Sequence, residues 1–112
     1  MATALIIYPD NSVELREVEP DLFTLQALVA GYVEAIMSRR SPRWIAYLNE
    51  DGKLLPLPPN PLATEVALKN SCRLMRGDVL AGTVVFLGMD AQDEHCDVPQ
   101  ALKEAVHGLA AI

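Results

Sequence analysis

Val79-Leu80-Ala81-Gly82-Thr83-Val84-Val85-Phe86-Leu87 is the most apolar stretch of the chain, and its reading decides the fold. It is rich in β-branched residues and bracketed by Gly77-Asp78 and Gly88. A short apolar run without polar alternation, closed by turn formers, predicts a strand buried on both faces. Such a strand belongs in the middle of a sheet, with Thr83 to Leu87 as its centre. Gly82 marks a bulge or a close approach of another backbone.

A buried middle strand needs strands beside it and helices over it, and the upstream sequence offers both. Ala4 to Tyr8 is apolar, Pro9-Asp10-Asn11-Ser12 is a cluster of turn formers, and Val13 to Val18 alternates. This predicts a β-hairpin whose second strand carries Val13, Leu15 and Glu17 on one face and Glu14, Arg16 and Val18 on the other. Pro20 and Asp21 suit the start of a helix. Leu22, Leu25, Leu28 and Val29 give that helix an apolar stripe, and Gly31 is expected to end it as a left-handed cap. Tyr32 to Met37 either continues the helix or opens a third strand; Tyr, Val and Ile after a glycine favour the strand.

Trp44 to Asn49 reads as another strand. Asp51-Gly52 is a hairpin signal that predicts Lys53-Leu54-Leu55 as a returning partner, stopped by Pro56, Pro58 and Pro59. Asn60-Pro61 reads as an N-cap with proline in the first turn, opening a short helix through Ala63, Val66 and Ala67. After an acidic loop from Asp90 to Asp97, a last helix starts near Pro99 with Leu102, Val106 and Leu109 in a stripe. The fold class expected is α+β: a small mixed, mainly antiparallel sheet of about five strands, packed by one main helix, a short helix and a C-terminal helix. The 112 residues are expected to form a single domain, with a core to residue 90 and the loop and last helix from 91 to 112.

Composition narrows the function classes. The chain is 51% hydrophobic and 21% charged, ordinary for a globular domain and too apolar for disorder. Fifteen acidic residues against nine basic ones leave a net charge of −6, which argues against general nucleic-acid binding. The apolar N-terminal run is short and lacks a basic start, so it is expected to be a strand in a cytoplasmic protein, not a signal or a membrane span. Cys72 and Cys96 are far apart and are expected to be free thiols.

Four places can carry chemistry. Asp93-Glu94-His95-Cys96-Asp97 packs metal-ligand types together, but adjacent ligands splay apart where a metal needs spaced ones, so no metal or cofactor is expected. Cys96 with His95 or His107 would need a base within reach and a group to orient it, and a thiol without a role is the expectation. Asn60 and Thr64 at a helix start can hold an anion, with Arg39, Arg43, Arg73 and Arg76 as the basic groups around it; alternatively Asn60 simply caps its own helix. The polar tip at Asn49, Glu50 and Asp51, with Tyr32, is suited to engage a protein partner. Phosphate-loop, nucleophile-elbow and zinc-protease patterns are absent.

Leu25 to Glu34, Asn49 to Lys53, Leu57 to Thr64 and Gly77 to Val85, in that order and spacing, resemble an uncharacterised family of small proteins encoded by tailed phages and mobile elements, especially in actinobacterial hosts. The resemblance runs from Ala4 to about Gly88. It implies a domain of unknown function with Gly31, Tyr32, Asn60 and Thr64 as characteristic positions, and it carries over no catalytic residue. A phage origin implies an accessory protein in the host cytoplasm. The leading expectation is a non-enzymatic module that binds a host protein, in takeover or anti-defence. A binder of a nucleotide or other small anion at Asn60 is the alternative, and an exposed sheet edge or the last helix would allow a homodimer.

Overall fold

The computed structural model describes residues 1–52, 54–70, 72 and 78–110, with only the backbone of 109 and 110. Its sheet is built from β1 (Ala2–Ile7), β2 (Val13–Val18), β3 (Val33–Met37), β4 (Trp44–Asn49), β5 (Val84–Met89) and β6 (His95–Cys96). Three helices, α1 (Leu22–Val29), α2 (Pro61–Lys69) and α3 (Gln100–Ala110), complete the α+β fold. Every strand pairing is antiparallel, in the order β2-β1-β5-β4-β3, with β6 also on β5. No helix among the described residues is long and apolar enough to cross a membrane.

The apolar run does lie at the centre. Val84, Val85, Phe86 and Leu87 are all fully buried, with β1 on one side and β4 on the other. Alternation sends Val84 and Phe86 to one face, where Leu5, Ile7, Trp44, Val66, Leu102 and Val106 pack beneath α2 and α3. Val85 and Leu87 go to the other face, against Ala4, Ile6, Ile45 and the α1 residues Leu25 and Val29. Helices on both faces explain why the middle strands lack polar alternation despite their antiparallel pairing.

Four details depart from the expectations. The central strand starts at Val84, not Val79, because Gly82 turns with a positive φ of 77° and residues 80 to 82 bond to the 58–60 segment. The helix α1 ends on Ala30, which holds the left-handed φ of 60°, and not on Gly31. Glycine is needed at 31 for space: a Cβ there would lie 2.5 Å from Asn49 Nδ2. No second hairpin follows Asp51-Gly52, because β3 and β5 already occupy both edges of β4. The chain coils instead, through Gly52 N–H to Asn49 O and Leu55 N–H to Asp51 O. Leu54 and Leu55 are exposed, and Lys53 lies outside the described residues. The two-residue β6 has no counterpart in the sequence reading; it pairs with Gly88 and Met89 out of the acidic loop.

Candidate functional site

Asn60 is completely buried and every polar atom of its side chain is used. Its Oδ1 accepts from Ala63 N–H at 3.1 Å, capping α2, while Nδ2 donates to Ile7 O at 2.8 Å and to Gly82 O at 2.9 Å. Thr64 Oγ1 donates to Asn60 O and accepts from Leu80 N–H. These two residues tie α2 to the ends of β1 and the 80–82 turn. The helix start is an internal joint.

Of the basic residues, the two that are described, Arg39 and Arg43, do not gather there. Arg43 lies at the opposite end of the sheet, where its carbonyl accepts from Met89 N–H, and its guanidinium holds Asp90 O and the Asp93 carboxylate. The six residues of β5 between the two ends span about 17–20 Å at ~3.3 Å per residue. Arg39 is exposed in the β3–β4 loop on that far end. Arg73 and Arg76 fall outside the described residues.

Tyr32, Asn49, Glu50 and Asp51 do come together. Glu50 N–H donates to Tyr32 O at 2.8 Å, and Asp51 N–H to Asn49 Oδ1 at 2.8 Å. Asn49 itself is buried; its Nδ2 reaches Val29 O and Ala30 O at the end of α1, fastening helix, strand and loop at one corner. Beside this corner opens a groove of about 340 Å³, lined by Glu34, Ile36, Leu48, Glu50, Leu54, Asp78 and Val79 among others. Glu34 and Ile36 share one face of β3, as period-two alternation requires. Among the described residues neither Glu34 nor Glu50 has an ion-pair partner. Sequence reading found Glu50 but missed Glu34, Leu54 and Val79, which come from three separate segments. Only the alternation of β3 hinted at Glu34, once that strand is known to lie at an edge.

The acidic loop is organised by its own backbone: Asp90 Oδ1 accepts from Gln92 N–H and Glu94 N–H. Among the described residues no cluster of side chains could hold a metal. His95 Nε2 shares a hydrogen bond with Tyr47 Oη and so faces β4. His107 lies on α3, beside Lys103 and Val106. Burial, then the charges of Asp90 and Asp97, push the Cys96 thiol above its ordinary pKa. Burial likewise raises that of Cys72. Nucleophilic cysteines have the opposite shift. Cys96 is therefore expected to react with iodoacetamide near neutral pH more slowly than a free cysteine. Mass spectrometry of timed quenches checks this, and alkylation faster than the free amino acid would contradict the placement of the two carboxylates.

No curated protein and no solved structure matches the chain. One family does, described as a domain of unknown function (DUF3846), over residues 1–109. The match takes in the acidic loop and nearly all of α3, which lie beyond the stretch that carried the resemblance. With the six described strands, α1, α2 and nearly all of α3 inside the matched span, the chain belongs to the DUF3846 family.

Proposed function

We propose that this chain is a non-catalytic binding module that takes a protein segment bearing a basic and an apolar side chain into the groove beside Tyr32 and Glu50. The observation that carries the reading is the pairing of two exposed carboxylates, Glu34 and Glu50, with exposed apolar surface. Leu54, 83% exposed, and Val79 line the groove, and Tyr32, 69% exposed, stands next to it through its bond to Glu50. An aromatic side chain with surrounding apolar area anchors an interface, while unpaired charge selects the partner and speeds its approach. The net charge of −6 favours a basic partner at longer range. A protein of the host cell, met by a phage or mobile-element accessory protein, is the partner that the resemblance implies.

The test is differential capture. Immobilised wild type is compared with Glu34→Lys/Glu50→Lys and with Glu65→Lys/Glu104→Lys, which changes the same charge on the exposed faces of α2 and α3. A specific partner held by wild type and the helix variant, and reduced at least about tenfold on the groove variant, is the expected result; each factor of ten is about 1.4 kcal/mol. Equal capture by all three would remove the groove from the proposal, and capture of nothing specific would remove the proposal.

A further inference from the structure

β2 ends the sheet, so among the described residues one of its edges is unpaired. Tyr8 N–H donates to Ser12 O, directly across the start of the β1–β2 ladder. Because bonded and non-bonded pairs alternate in an antiparallel ladder, Glu14, Arg16 and Val18 turn their backbone groups to β1. Val13, Leu15 and Glu17 turn theirs outward. The backbone of β1 agrees: Thr3 O and Ile7 O, opposite Glu17 and Val13, point away from β2, to Val98 N–H and Asn60 Nδ2. The ladder runs without a bulge and the strand contains no lysine or proline, so what guards this edge is the charge of Glu14, Arg16 and Glu17. Val13 is 38% and Leu15 54% exposed, on a groove of about 380 Å³ between β2 and α3.

We infer that this edge pairs with the same edge of a second copy, around a twofold axis through Leu15. In that register Leu15 faces Leu15 and Val13 faces Glu17, so all three outward residues find bonded partners. On the opposite face Glu14 of each copy meets Arg16 of the other. These charges already form an ion pair within the strand, at 2.8 Å, so the dimer completes a square of alternating sign. Sliding the register two residues either way sets Glu14 against Glu14 or Arg16 against Arg16, and like charges directly opposite are destabilising. Odd shifts misalign the outward backbone groups. The strand's own sequence therefore selects itself as occupant, in one register. Leu15 of the second copy also extends the apolar strip on the α3 side.

Sedimentation velocity over a dilution series reaching about 0.1 mM tests this. Wild type is expected to dimerise reversibly, and Glu14→Arg and Arg16→Glu are each expected to associate at least about tenfold more weakly. An equimolar mixture of these two variants, and the double swap within one chain, are expected to restore association, a rescue that a purely structural role cannot produce. If a swap impairs folding, as circular dichroism would show, Leu15→Cys decides. Its paired Cα atoms lie about 5.5 Å apart in a bonded pair, within disulfide reach, so mild oxidation should yield a covalent dimer that Glu17→Cys does not form. A monomeric wild type, swaps without effect, a mixture without rescue, or no selective Leu15→Cys cross-link would each overturn the pairing.

Discussion

Asn60→Ala is expected to remove about 3–5 kcal/mol of stability, a large part of what a domain of this size has. The substitution takes away the α2 cap, which by itself is worth about 0.5–2 kcal/mol. It also leaves the carbonyls of Ile7 and Gly82 without the donor they share, in a site from which water is excluded. Buried polar groups left unpaired cost about 1–3 kcal/mol each. The single tryptophan, Trp44, is buried with its ring centroid 5.4 Å from that of Phe86, so its fluorescence reports urea unfolding directly. Asn60→Asp separates the two roles. It keeps the acceptor for Ala63 N–H but points a carboxylate at two carbonyl oxygens, which raises its pKa in the folded state. Its loss should exceed that of alanine at neutral pH. It should shrink as the pH falls through the folded-state pKa, where a protonated carboxyl donates again. A midpoint shift worth less than about 1 kcal/mol in Asn60→Ala would mean that the joint does not carry the fold.

Gly88→Ala is expected to be nearly as damaging, for a steric reason. Gly88 sits within β5, and a Cβ there would run into the carbonyl oxygen of Asp97 and approach Cys96 Sγ to 2.9 Å. The first obstacle is backbone, so no side-chain rotation relieves it. The strand β6 and the segment after it must move off the sheet, breaking the bond from Val98 N–H to Thr3 O that seats α3. Overpacking costs about 1–3 kcal/mol, and the detached segment brings the expected loss to about 2–4 kcal/mol. Hydrogen exchange should show residues 95–98 losing protection first. Gly108→Ala is the matched control: nothing lies within 4 Å of the added methyl on α3, and a small gain from helix propensity is expected. Equal stability of Gly88→Ala and wild type would place β6 elsewhere.

Much of the architecture was legible in residue order because the signals involved are local. The alternation of Val13 to Val18, the proline after Asn60 and the β-branched run at Val84 to Leu87 each report what their own backbone prefers. The hairpin, the capped helix and the central strand follow from them. Asp51-Gly52 misled for the same reason. The dipeptide favours a tight turn, but a hairpin also needs a free strand edge, and β4 has none. Gly31 misled differently: its position suggested a backbone role, whereas the side chain of Asn49, eighteen residues later, takes the space a Cβ would fill.

The candidate site was only partly legible. Tyr32, Glu50 and Asp51 stand out as polar or aromatic residues next to turns, and they do meet at one corner. That Glu34 and Leu54 join them, and that Arg43 ends near Met89 instead of Asn60, depends on which strands are neighbours. By itself, then, the sequence determined the elements, their caps and the strand that had to be buried, since hydrophobic period and turn chemistry act within a few residues. Only the tertiary structure decided which edges are occupied, which charges stay unpaired among the described residues and why two glycines are required. Those properties arise from contacts between segments far apart in the chain, and no local preference encodes them.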